Sequence, residues 1–146
     1  MTDTPADAFP ITIYHNPDCG TSRNTLAMLV AAGYAPAVVE YRKTGWTVPQ
    51  LTQLLADMGA GPRAVLRDKG TPAAELGLLD PAVSDAALLA AMVAHPILVN
   101  RPIVVTPRGT RLCRPSERVL ELIDRPLPDF VKEDGEVVRA APDSTG

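Results

Sequence analysis

Short β-type runs stand toward each end of this chain and a long helical stretch separates them, an order that few folds accommodate. Residues 11–14 read as a strand. His15-Asn16-Pro17-Asp18-Cys19-Gly20 follows and is loop chemistry. Helical spacing then runs over residues 21–32, with Leu26, Leu29 and Val30 on one face and Gly33 suited to the stop. Residues 37–41 read as a second strand, so the chain opens as a β-α-β unit of parallel type.

The middle is helical. Thr47 and Gln50 fit a capping box ahead of Leu51, Leu54, Leu55 and Met58, and Gly59 ends that helix. Residues 62–66 fit a short helical turn, Thr71-Pro72 the start of another helix, and Ser84 the cap of a helix carrying Leu88, Leu89 and Met92 that ends at His95-Pro96. Strand signals return in Ile103-Val104-Val105. Pro107-Arg108-Gly109 makes a turn and residues 110–112 return as a strand, giving a hairpin. Pro115 fits the start of a last helix with Val119, Leu120 and Ile123 inward. The expected organisation is a flexible N-terminus over residues 1–10, one α/β domain over 11–125 with a helical insertion at about 47–95, and a Pro-rich, charged, flexible tail over 126–146.

Composition narrows the function. Hydrophobic residues are 46% of the 146, enough for a core without metal or disulfide staples. The net charge of -3 argues against nucleic acid as a main partner, because backbone phosphate needs a strongly basic patch. It leaves room for a small anion held by a few cations. Two cysteines are too few for a disulfide scaffold. No signal-peptide pattern opens the chain, and no apolar run reaches the roughly 18 residues that span a bilayer. The expectation is a cytoplasmic protein with reduced thiols and no membrane contact.

Cys19 is the most informative position. At a helix start, free N–H groups and the helix dipole stabilise a thiolate and attract an oxyanion. Free cysteine is also among the most buried residue types, so position alone leaves a packing role open. His15, four residues earlier, could favour the thiolate or shuttle a proton, and equally could be structural. Cys19-Gly20-Thr21-Ser22 has serine where a dithiol motif has its second cysteine, so a disulfide step needs an outside thiol. Cys113, at a strand end, reads as packing. Arg67, Arg101 and Arg114 lie at element boundaries, where a guanidinium fork could hold a tetrahedral oxyanion or simply be solvated. Pro102 opens a strand, as an edge proline or a cis one. No spacing of His, Cys and carboxylates fits a metal site.

The stretches Ile13-Tyr14-His15-Asn16-Pro17-Asp18-Cys19-Gly20-Thr21-Ser22-Arg23-Asn24 and His95-Pro96-Ile97-Leu98-Val99-Asn100-Arg101-Pro102-Ile103-Val104-Val105 resemble the glutaredoxin-dependent arsenate reductases. So do Arg111-Leu112-Cys113-Arg114-Pro115-Ser116-Glu117 and Lys132-Glu133-Asp134-Gly135-Glu136. The resemblance implies a thioredoxin-like fold with a helical insertion between the βαβ half and the hairpin-helix half. It implies Cys19 as nucleophile, His15 keeping it ionised and Ser22 assisting. It further implies Arg67, Arg101 and Arg114 as oxyanion ligands, and Pro102 as a cis-proline beside the cysteine. Arsenate would be the substrate, glutathione the co-substrate and a glutaredoxin the partner, with no tightly bound cofactor. Gly45-Trp46-Thr47 departs from the family's more common Pro-rich segment, which is expected to alter only a surface loop.

Two relatives of the same superfamily are alternatives. Spx-type regulators, which bind RNA polymerase, usually carry Cys-x-x-Cys and lack the match around Arg114. Glutathione-dependent thiol reductases with other substrates resemble this chain at Cys19, Arg67 and Arg101-Pro102, but not at His15 or Arg114.

Overall fold

In a computed structural model, which describes residues 9–138, strand β1 (Thr12–His15) leads into helix α1 (Gly20–Ala31) and strand β2 (Ala37–Glu40). Strands β3 (Ile103–Thr106) and β4 (Gly109–Leu112) complete a four-stranded sheet of order β2-β1-β3-β4. β3 runs antiparallel to β1, with Ile13 opposite Val104, and antiparallel to β4, with Val104 opposite Arg111. This is the thioredoxin-like arrangement that the resemblance implies. Two compact units are distinguished, one holding this sheet and residues up to Val39 and from Arg101, the other Glu40–Asn100.

In the first unit, α1 and the 3-10 helix Ser116–Leu122 pack on one core with the sheet. Ile13, Met28, Leu29, Val104, Cys113, Val119, Leu122 and Leu127 are buried together there. The inward face of α1 is Ser22, Thr25, Met28 and Leu29. Leu29 is therefore inward as expected, whereas Val30 points out at 58% exposure. Gly33, at φ +95, lets the helix end in a reversal that brings the Tyr34 N–H to the Leu29 carbonyl at 3.0 Å. The segment after Pro115 is a 3-10 helix rather than the α-helix its spacing predicts, with Val119 and Ile123 buried.

Beyond Pro126 the chain departs from the flexible tail expected there. Leu127 is buried, and Phe130–Val131 (β5) pairs antiparallel with Val137–Val138 (β6), whose Val138 joins the core. Residues 1–8 and 139–146, the rest of the two expected flexible ends, lie outside the described residues.

The second unit is the helical insertion, starting earlier and ending later than its periodicity predicts. It comprises α2 (Tyr41–Thr44), α3 (Val48–Met58), a 3-10 turn Pro62–Val65, α4 (Asp85–Ala94) and a 3-10 turn Pro96–Leu98. The Thr47–Gln50 box is present in both directions, at 3.2 and 3.3 Å, and Ser84 caps α4 by accepting from the Ala87 N–H. Residues 71–80 form turns instead of the helix expected from Thr71-Pro72. The Leu76 N–H reaches the Pro72 carbonyl, one helical turn, and Gly77 at φ +73 then breaks it. Gly45-Trp46-Thr47 is a loop between two helices, with Thr47 exposed, but the Trp46 side chain turns inward. It is 5% exposed and stacks on the buried ring of Tyr41, with centroids 4.9 Å apart.

Candidate active site

Cys19 is the N-cap of α1. Its backbone is extended (φ -105, ψ 121), and its carbonyl already accepts from the Arg23 N–H at 2.9 Å. Asn16 sets the loop before it: the Asn16 carbonyl accepts from the Cys19 N–H at 3.0 Å, and its Oδ1 accepts from the Asp18 N–H at 2.9 Å. Asn16 is 1% exposed and brackets the cysteine from inside. The sequence signal for it was the Asn-Pro dipeptide, which favours such side-chain-to-backbone turns.

The sulfur faces positive groups. Arg114 Nη1 lies 3.6 Å from Cys19 Sγ and donates to the Arg101 carbonyl at 2.9 Å. Burial pushes the Cys19 thiol up, but the Ser22 backbone N–H and the Arg101 and Arg114 guanidiniums outweigh it, and the thiol sits lowered to about 7. Arg101 is itself buried. A lowered thiol, helix N–H groups and two guanidiniums together can hold a thiolate next to an oxyanion.

Ser22 and His15 are arranged differently from a simple pair of helpers. The Ser22 backbone N–H serves Cys19, while its hydroxyl is 2.7 Å from His15 Nδ1 and accepts from the Asn16 N–H at 3.1 Å. His15 is thus linked through Ser22 to the loop that carries the cysteine. The Arg101–Pro102 peptide is cis, and so is Arg114–Pro115. Arg67 belongs to the other unit, where its guanidinium donates to Asn100 Oδ1 at 3.4 Å and to the Lys69 carbonyl at 3.2 Å.

Cys113 differs in kind from Cys19. Both cysteines are free. Cys113 is fully buried in the core cluster, and burial pushes its thiol up to about 12.

A β-loop-α turn that sets one lowered cysteine at a helix N-terminus, with a cis-proline before β3, defines a thioredoxin-like thiol protein. Residues 14–122 match the ArsC family. An arsenate reductase of Synechocystis sp. is 61% identical over 129 residues, 88% of this chain and 92% of that protein. An arsenate reductase of Escherichia coli is 55% identical over the same length, again 88% of this chain and 92% of that protein. The solved structure of an arsenate reductase from Vibrio cholerae superposes with a TM-score of 0.75 at 45% identity, covering 79% of this chain and 98% of that one. The chain belongs to the ArsC family.

Proposed function

We propose that this chain reduces arsenate to arsenite through the thiolate of Cys19, with glutathione as co-substrate and a glutaredoxin as regenerating partner. The observation that carries the reading is the position of Cys19 Sγ. It stands at a helix N-terminus, 3.6 Å from Arg114 Nη1, with a thiol lowered to about 7 by the Ser22 N–H, Arg101 and Arg114 against the pull of burial. The arsenate reductases among its relatives supply the substrate.

The chemistry follows from these groups. The Cys19 thiolate attacks arsenic(V), a sulfur–arsenic bond forms, and one arsenate oxygen leaves as water after protonation. Arg101 and Arg114 neutralise the oxyanion and the charge that builds on the departing oxygen. Arg67 is the third anion ligand on the strength of the family resemblance. The thiolate of glutathione then attacks Cys19 Sγ. A disulfide forms, the sulfur–arsenic bond breaks with its electron pair on arsenic, and arsenite departs as arsenic(III). A glutaredoxin thiolate attacks the glutathione sulfur of that mixed disulfide and restores Cys19. An outside thiol is required because Cys113 is shut in the core with its thiol pushed up to about 12. Such chemistry belongs in the cytoplasm, where glutathione keeps thiols reduced. Phosphate has the shape and charge of arsenate and would compete for the arginines without being reduced.

Arsenate-dependent NADPH oxidation, coupled through glutathione, glutathione reductase and a glutaredoxin, tests this for the wild type and Cys19→Ser. Turnover that needs arsenate, glutathione and Cys19 supports the reading. Turnover sustained equally by thioredoxin in place of glutathione and glutaredoxin would refute the assigned reductant. A reduced, folded protein with no turnover would refute the substrate.

A further inference from the structure

The turn Lys132-Glu133-Asp134-Gly135-Glu136 has no part in the chemistry above, yet it is tied to the helix that begins behind Cys19. Arg23, in the first turn of α1, donates through Nε to Glu133 Oε2 at 2.7 Å and through Nη2 to Glu133 Oε1 at 2.9 Å. Its remaining nitrogen, Nη1, donates to the Pro17 carbonyl at 2.8 Å, inside the loop that carries the cysteine. The guanidinium therefore bridges a carboxylate and a loop carbonyl at once. Glu133 is held from its backbone too, since its N–H donates to Asn24 Oδ1 at 3.1 Å.

The turn that presents Glu133 is braced. Lys132 Nζ pairs with Glu117 at 2.6 Å and with Glu136 at 3.1 Å, and the Glu136 N–H donates to Asp134 Oδ1 at 2.9 Å. The Glu133 carboxylate sits so near the site that a Cβ on Gly20 would lie 3.8 Å from Glu133 Oε1. An exposed ion pair by itself contributes little to stability. A two-pronged pair that also grips a loop carbonyl fixes geometry instead.

We propose that Glu133 is a positioning residue for Cys19, acting through Arg23 to hold the Pro17 carbonyl and thereby the loop that aims the cysteine at the Ser22 N–H and the arginines. This rests on Cys19 being the nucleophile of the proposed reaction. The charges bearing on Cys19 are Arg101, Arg114, Arg23 and, through Arg23, Glu133 and Asp18.

Charge and geometry predict opposite signs, and that makes the proposal testable without arsenate. Glu133→Gln removes a negative charge near the thiolate and leaves Arg23 uncompensated, so charge alone would lower the Cys19 thiol and speed its alkylation. Loss of positioning lets the Ser22 N–H and the guanidiniums drift from the sulfur, which raises the thiol. The measurement is the pH profile of Cys19 alkylation by iodoacetamide on the full chain, with thermal melting alongside; Cys113 stays silent because it is wholly enclosed, at 0% exposure against 8% for Cys19, and its thiol is pushed up to about 12. The expected result for Glu133→Gln is a midpoint moved upward and a rate near neutral pH lower by roughly threefold to fivefold, as the thiolate fraction falls. Arg23→Lys should behave alike, because one ammonium cannot hold both Glu133 and the Pro17 carbonyl. The reversed pair, Arg23→Glu with Glu133→Arg, restores opposite charges without the grip on the Pro17 carbonyl, so it should melt close to the wild type and keep the raised midpoint. A midpoint that is unchanged or lowered in Glu133→Gln, or restored by the reversed pair, would overturn the proposal. Arsenate turnover is measured separately, so failure of the arsenate reading leaves this result interpretable.

Discussion

Cys19 and Cys113 carry the same side chain, and their surroundings send them in opposite directions. Burial raises both; at Cys19 a helix N–H and the hydrogen bonds of two guanidiniums outweigh it, whereas at Cys113 the more distant charges of Arg111 and Arg118 do not. The Cys19 thiol is neutral below about 7 and a thiolate above it, so its reactivity should climb as pH rises through about 7. A stopped-flow alkylation profile with its midpoint near the ordinary thiol value would contradict the geometry. Cys113→Ser should keep most of the turnover while destabilising the fold by about 1–3 kcal/mol, since a hydroxyl then sits in an apolar core. A variant that is folded but inactive would show that Cys113 takes part. Arg101→Lys should lower kcat roughly tenfold or more, because an ammonium keeps the charge and loses the fork; unchanged steady-state kinetics would place Arg101 outside the chemistry. The placement of Cys19 at a helix start was readable from local order, a strand followed by a loop, a cysteine and a helix. The direction of the Ser22 hydroxyl was not. A Cys-x-x-Ser pattern suggests a hydroxyl beside the sulfur, whereas the helix turns that hydroxyl toward His15 and the Asn16 N–H, and offers the backbone N–H to Cys19.

Elements whose ends carry explicit chemistry were the legible ones. Thr47 and Gln50 form their reciprocal box, Ser84 caps α4, and Pro107-Arg108-Gly109 turns the hairpin. Thr47→Ala should lower stability by about 1 kcal/mol, read by urea unfolding, because the Gln50 N–H loses its acceptor while α3 keeps its buried leucines. A variant as stable as the wild type would mean that water replaces the cap fully. Where spacing misled, a competing local bond decided. Thr71-Pro72 reads as a helix start, but Thr71 Oγ1 donates to the Arg67 carbonyl at 2.7 Å and Gly77 reverses the chain. Arg63 then ties the following turn through the carbonyls of Leu78, Asp80 and Val83. In the Ser116–Leu122 segment, the tight pitch still sends Val119 and Leu122 inward, since three residues complete a 3-10 turn. A periodicity of three to four residues does not distinguish the two helices over so short a span. Val30 shows the reverse error: it is apolar by sequence, and the buried stripe of α1 runs instead through Ser22, Thr25 and Met28.

At the scale of the whole molecule, the contacts that mattered most were the hardest to read, because they join residues far apart in the chain. Arg23 and Glu133 are 110 positions apart, and no local pattern connects them. Family resemblance implied Arg67, Arg101 and Arg114 as oxyanion ligands; what the sheet explains is that Arg101 and Arg114 lie together, since the β3–β4 hairpin returns the chain and the Cys113 N–H bonds to the Pro102 carbonyl at 2.9 Å. The last segment was read as a flexible tail because prolines and charges dominate it. Yet its sparse apolar residues are spaced to land on the core: Leu127 is 1% exposed, and Val138 closes the same cluster from β6. If this segment is part of the fold, Leu127→Ala should destabilise by about 2–5 kcal/mol, the range for emptying a buried leucine site. A chain ending at Pro126 should lose more, because it also gives up Val138, Phe130 and the Lys132–Glu117 pair at 2.6 Å. Urea unfolding followed by circular dichroism separates the cases. A decorative tail would leave both midpoints at the wild-type value, whereas a structural one lowers the midpoint for Leu127→Ala and further for the truncation. The truncated chain, deprived of Glu133 as well, should also show the raised Cys19 alkylation midpoint expected of Glu133→Gln, while Leu127→Ala, which leaves the Arg23–Glu133 pair in place, should not.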